Sequence, residues 1–289
     1  MRLVSFEHFG AVRVGVVIGD RIRDVSSVAP TMAALVEGGS PMLERVACAA
    51  AEASDDLDLQ SVRLLAPFPD APRNILCVGL NYLDHAAEGA RAGRRGGALP
   101  ERPVWFSKAV ASICGPFDDI PVDLSVSAMY DWEAELALVI GREGRRISRE
   151  RAFEYIHSYT VFNDFTARDI QHAYGEQWFK GKSIDRSSPL GPWLVTPEEL
   201  ESPPRLRVTC SVNGQVRQDS NTGLLIFDIP TLIADISETI TLAPGDIIST
   251  GTPSGTGSSS VPREFLKPGD VLETRVEGIG VLRNRIVQA

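Results

Sequence analysis

The 289-residue chain has only four cysteines, Cys48, Cys77, Cys114 and Cys210, set far apart and without a CxxC pair. That spacing excludes a disulfide framework of the secreted kind and fits a reducing cytoplasm. Long apolar runs are missing too. None approaches the length of a membrane span, and the opening Met1-Arg2-Leu3-Val4-Ser5-Phe6-Glu7-His8 is too short and too polar for a signal peptide. A basic stripe is also lacking. The formal net charge is −9, and the one dense basic cluster, Arg91, Arg94 and Arg95, sits among glycines and reads as a solvated loop. Nothing here could neutralise a row of phosphates, so neither nucleic acid nor membrane is expected as a partner. What remains is an ordinary globular composition, 43% hydrophobic and 23% charged, long enough to bury a substantial core.

Within that composition, the stretch from Asp131 to Gly141 (DWEAELALVIG) stands out. Val139, Ile140 and the leucines favour a buried strand, and Gly141 ends the run. Glu133 and Glu135, at i and i+2, then leave one face. Two readings are open. The acids either lie in water at a strand end, or they are buried around a positive charge, since neighbouring carboxylates stripped of water repel each other. A divalent cation is the economical partner in the second case.

The rest of the chain reads as strands and turns with a few helices. Short strands at Leu3–Phe6, Val12–Ile18 and Ile22–Val25 precede a helix capped by Thr31 and a second one started by Pro41. This makes a small α/β N-terminal domain over residues 1–66. Prolines 67, 69 and 72 mark residues 67–72 as a linker, and residues 73–289 form the larger domain. There, Asn74–Leu80 reads as a buried strand and Asn81 as the cap of a helical turn carrying His85 and Glu88 at i and i+3. A His–Glu pair is how a site makes imidazole basic enough to take a proton, and the glycine- and arginine-rich segment after it suits a lid. Lys108 reads as the solvated end of the 103–108 strand. Asp164, Arg168 and Gln171, spaced i, i+4 and i+7, fall on one face of a helix, where an Asp–Arg pair contributes only about 0.2–0.5 kcal/mol. Gly181-Lys182-Ser183 is no phosphate loop, because Glu176 stands where that pattern needs glycine. Lys182 remains a cation for an anionic substrate. Leu224–Phe227 reads as a strand, Asn213-Gly214 as a hairpin turn, and Gly251-Thr252-Pro253-Ser254-Gly255 as a loop whose amides and Thr252 hydroxyl could hold a carboxylate.

From Cys77 almost to the end, these pieces resemble the fumarylacetoacetate hydrolase superfamily, in its longer bacterial type with a small N-terminal domain. The resemblance rests on Val78-Gly79-Leu80-Asn81-Tyr82 with His85 and Glu88, on Glu133 and Glu135, and on Asn163-Asp164-Phe165-Thr166-Ala167-Arg168-Asp169. It continues through Gly181-Lys182-Ser183, Pro189-Leu190-Gly191-Pro192-Trp193, Gly245-Asp246 and Thr250-Gly251-Thr252-Pro253-Ser254-Gly255, in the family's order. Ala109 stands where the family has proline after the lysine of its Phe-x-Lys segment. The resemblance implies a mixed, β-rich α+β fold with a β-sheet roll in the C-terminal domain, usually in a homodimer. It also implies Mg²⁺ or Mn²⁺ on Glu133, Glu135 and Asp164, an assignment that agrees with an oxygen-only donor set. His85, Glu88 and Lys182 become the catalytic residues, and Tyr82, Arg168, Gln171, Lys182, Gly251 and Thr252 the substrate-binding ones. The expected reaction is hydrolysis of a carbon–carbon bond in a 2,4-dioxo acid such as an acylpyruvate or fumarylpyruvate. Decarboxylation of an oxaloacetate-like 2-oxo acid and keto–enol or diene isomerisation are the alternatives on the same site, and a noncatalytic metal-binding protein is the outsider.

Overall fold

The computed structural model describes residues 1–53, 56–91, 99–173 and 175–289. Arg94, Arg95 and the glycines around them, read above as a solvated lid loop, lie outside the described residues. The architecture is the expected β-rich mixture, mostly sheet with a few helices.

A 12-stranded sheet organises the chain, and its path runs Asp56–Asp58, Arg21–Asp24, Ala11–Ile18, Arg2–His8, Ser188–Val195, Ile156–Asn163, Ala134–Ile140, Ile247–Ser249, Ile75–Gly79, Val104–Lys108. Ala134–Ile140 lies deep in this path and is buried at every position, with antiparallel neighbours on both sides. Coverage of both faces is why its sequence is an apolar run and not an alternation. Leu136, Leu138 and Ile140 enter one core, and Ala137 and Val139 enter another, so strand alternation assigns Glu135 to the face of Ala137 and Val139. The first core is closed by a five-stranded sheet in the order Gln215–Asn221, Arg207–Val212, Val271–Val276, Gly280–Gln288, Ile120–Val122, which contributes Val208, Leu272, Leu282 and Ile286. The 213–214 hairpin forms as expected. Asn213 and Gly214 both take positive φ, 52° and 78°, the backbone that a two-residue turn between twisted strands requires.

The N-terminal strands extend the same sheet, Arg2 pairing with Val195 and Leu3 with Leu194. The proline-rich segment between the two parts is packed: Ala66, Phe68 and Ala71 are buried in the second core, and the Ser5 hydroxyl donates to the Pro67 carbonyl.

Several local expectations give way to tertiary contacts. Asn81 does not cap the helix Leu83–Arg91. Its amide clamps Phe227, accepting from that residue's N–H and donating to its carbonyl, and also donates to the Thr250 carbonyl. The segment that this clamp holds is a 3-10 turn, Thr222–Leu224, and the chain after it, not a strand. Residues Arg149–Tyr155 form another 3-10 segment. Asp164 lies outside any helix. The helix is Arg168–His172, so the expected Asp164–Arg168 helix pair does not form.

Candidate active site

Glu133, Glu135 and Asp164 converge where the strands Ala134–Ile140 and Ile156–Asn163 end side by side, Ala134 opposite Asn163. All three are buried, and one oxygen from each lies within 4.8 Å of the others. The solvated reading of the two glutamates is therefore excluded. Around them stand three cations. Lys182 Nζ lies 2.8 Å from Glu133 Oε2, 2.7 Å from Asp164 Oδ2 and 2.9 Å from the Thr166 hydroxyl. Lys108 Nζ lies 2.7 Å from Asp164 Oδ1 and 2.9 Å from the Phe165 carbonyl. Arg168 reaches Asp131 Oδ2 through Nε at 2.7 Å, Glu133 Oε1 through Nη2 at 2.6 Å and Gln171 Oε1 through Nη1 at 3.1 Å.

Lys108 is thus not a solvated strand end. It is fully buried, because the Val104–Lys108 strand forms the sheet edge beside Ile75–Gly79 and directs its last side chain under Asp164. Alanine in place of proline at position 109 does not disturb this.

Four buried carboxyl groups, those of Asp131, Glu133, Glu135 and Asp164, face three buried cations, Lys108, Lys182 and Arg168. The mismatch falls on Glu135. One of its oxygens accepts from the Ser249 hydroxyl and the Gly251 N–H, and among the described residues no lysine or arginine pairs with it. Burial, reinforced by Asp164 and Glu133, pushes its pKa well above the ordinary glutamate value. Glu133 goes the other way. Burial alone would raise it, but Lys182 and Arg168 outweigh that and hold it at about 2. Burial would likewise strip the proton from Lys182, yet Asp164 and Glu133 raise its pKa, so it stays an ammonium. A buried set of hard oxygen donors with one carboxylate short of positive charge fits a divalent, oxygen-preferring cation. Cys77 offers no soft alternative, since burial first, then Asp164 and Glu135, push its thiol well up.

Above the ionic floor, a cavity of about 430 Å³ opens to His85, Glu133, Glu135, Arg168, Gln171, Lys182 and Thr252. His85 Nδ1 lies 3.2 Å from Glu88 Oε2, so the expected i, i+3 pair forms on the helix Leu83–Arg91. Asp84 ties that helix down, accepting from the Ser220 hydroxyl at 2.7 Å. Glu88 also accepts from the Gly255 N–H at 3.1 Å. Burial opposes its ionisation, but the His85 and Gly255 bonds prevail and lower its pKa.

Two expected residues sit elsewhere. Tyr82 is fully buried away from the cavity lining, and burial pushes its phenol upward. The Gly251 N–H orients Glu135 and does not line the cavity. Other residues went unnoticed in the sequence. Asp131 holds Arg168 and also accepts from the amides of Gly257 and Ser258, at 2.7 and 3.0 Å, so it fixes both the guanidinium and the glycine-rich loop. It stands two residues before Glu133, but in a separate two-residue strand, Tyr130–Asp131, that pairs with Thr166–Ala167. Arg263, His172, Phe106 and Trp178 also line the cavity, and no local pattern marks them.

The comparisons with known proteins agree with this geometry. Residues 74–287 match the fumarylacetoacetate (FAA) hydrolase C-terminal family. Oxaloacetate tautomerase YisK of Bacillus subtilis is 43% identical over 229 residues, 79% of this chain and 74% of its own length. The mitochondrial oxaloacetate tautomerase Fahd2a of Rattus norvegicus is 39% identical over 295 residues, 99% of this chain and 92% of its own. Among solved structures, maleylpyruvate hydrolase from Sphingobium sp. SYK-6, in complex with manganese (II) ion and pyruvate, superposes with a TM-score of 0.83 at 28% identity over 100% of both chains. The chain belongs to the fumarylacetoacetate hydrolase family.

Proposed function

We propose that the protein interconverts the keto and enol forms of an oxaloacetate-like 2-oxo acid. One observation carries this reading: a floor of buried, paired charges shares its cavity with His85, which is part-buried and paired with Glu88. The tautomerase relatives support it, and the expectation of carbon–carbon hydrolysis becomes the second reading.

Glu133, Glu135 and Asp164 would hold Mg²⁺ or Mn²⁺, which would supply Lewis-acid stabilisation of negative charge on the substrate oxygens. Lys182 and Arg168, both held protonated, add fixed positive charge beside it, and the Gln171 amide orients the substrate oxygens. The Thr252 hydroxyl donates to the Ala134 carbonyl at 3.0 Å and accepts from Gln218 at 2.8 Å, so it only shapes the cavity wall. Lys182 is therefore a charge-stabilising group and not a base. Glu88, ionised, keeps the proton of His85 on Nδ1, which leaves the lone pair on Nε2. Nε2 takes a proton from C3 of the keto form as the C–H electron pair moves into the C2–C3 bond and the carbonyl pair moves onto oxygen. Return of that proton to the 2-oxygen gives the enol, with no water consumed.

The second reading uses the same pair on water to cleave an acylpyruvate, and the manganese-bound relative, a maleylpyruvate hydrolase, favours keeping it. One assay decides between them. The purified protein with Mg²⁺ or Mn²⁺ is expected to accelerate loss of enol-oxaloacetate absorbance and to leave acylpyruvates uncleaved. Acylpyruvate cleavage without accelerated tautomerisation would overturn the proposal.

A further inference from the structure

The cations around the cavity are not equivalent. Lys182 is held by Glu133 and Asp164, Arg168 by Asp131 and Glu133, His85 by Glu88, and His172 lies 3.5 Å from Glu176. Among the described residues, Arg263 is the one cavity-lining cation with no acid within ion-pair distance. Its neighbour Glu264 cannot serve, because it pairs with Arg217 at 2.7 Å. The segment that carries Arg263 is nevertheless fixed in place. The Gly257 and Ser258 amides are tied to Asp131, and the Glu264 N–H donates to the Gly257 carbonyl at 3.0 Å. Arg263 is exposed where it lines the cavity, and a guanidinium on a fixed backbone that no protein carboxylate engages is matched to a carboxylate from the ligand.

We infer that Arg263 reads the distal carboxylate of a dicarboxylic 2-oxo acid, while the ionic floor takes the 2-oxo acid end. Arg263 is then the residue that separates dicarboxylic from monocarboxylic substrates. Arg168 and Lys182 cannot draw that distinction, because their charge is already matched by buried acids.

The inference rests on the keto–enol reading, and the test separates the two. Oxaloacetate and its 4-ethyl ester share the reacting carbons and differ in the distal charge. Arg263→Ala is expected to raise KM for oxaloacetate at least about tenfold more than KM for the ester, the size of one lost charge-assisted hydrogen bond. Arg263→Lys should recover part of the difference. Equal changes for both substrates, or none, would overturn the assignment. Should the wild-type enzyme accelerate neither tautomerisation, the keto–enol reading fails. Calorimetric titration of oxaloacetate against the ester, in wild type and Arg263→Ala, then decides Arg263 alone: the wild type must prefer the diacid and the variant must lose that preference.

Discussion

The floor and the wall of the cavity are built from the same kinds of charged side chain, yet they behave as opposites. On the floor, Lys108, Lys182 and Arg168 lie against Asp131, Glu133 and Asp164 with almost no solvent exposure. Low dielectric strengthens these short contacts, and they hold Glu133 ionised and Lys182 and Arg168 protonated. On the wall, His85 and Glu88 keep side-chain exposures of 17% and 21%, and they pair with each other and not with a buried network of acids and lysines. The difference teaches that burial sorts charged residues of the same kinds into a closed ionic network and a pair that stays open to the cavity and to solvent, the division on which the proposed roles rest.

The largest expected effect tests the wall. His85→Ala should lower kcat about 10²- to 10⁴-fold, the usual contribution of a positioned acid–base group. Calorimetry should show divalent-cation binding retained in the same variant. Full turnover in this variant would break the comparison, because the floor would then be doing the proton transfer.

The floor is tested next through Lys108→Met. Removing one partner of a buried pair leaves a carboxylate uncompensated, so urea unfolding should show a loss of about 3–5 kcal/mol. A loss below 1 kcal/mol would mean that Lys182 alone suffices for Asp164.

The smallest effect sharpens what distinguishes His85. His157 is a buried histidine whose Nε2 has no partner, and burial, only partly offset by Glu198, pushes it down to about 4. As pH falls below 6.5 the unfolded chain takes up this proton before the folded one does. Stability is therefore full above pH 6.5 and declines toward pH 4, by about 3 kcal/mol in all. His157→Asn should flatten that part of the stability profile measured by urea unfolding at pH 7 and pH 4.5.

Much of this was legible in the residues themselves, because strand alternation and helix spacing are local rules. An apolar run with acids two apart placed Glu133 and Glu135 on one face, and a His and Glu three apart on a helical turn met as expected. Asn-Gly between strands specified its own turn. The same local rules misled wherever a distant partner intervened. Asn81 is drawn from capping to clamping Phe227, 146 residues away. Lys108 reads as a strand end because the carboxylate that buries it is 56 residues downstream. Arg168 leaves Asp164 for Asp131 and Glu133, 37 and 35 residues upstream, which the pairing of Tyr130–Asp131 with Thr166–Ala167 brings beside it.

By itself, then, the sequence determined which residue types were available, the strand that carries the two glutamates, and the histidine pair. Only the tertiary structure decided which charges cancel. A charge's partner, and hence its protonation state, depends on distance and on exclusion of water, and both are set by how the strands lie together. That is why, among the described residues that line the cavity, Glu135 is the carboxylate short of a cation and Arg263 the cation short of a carboxylate.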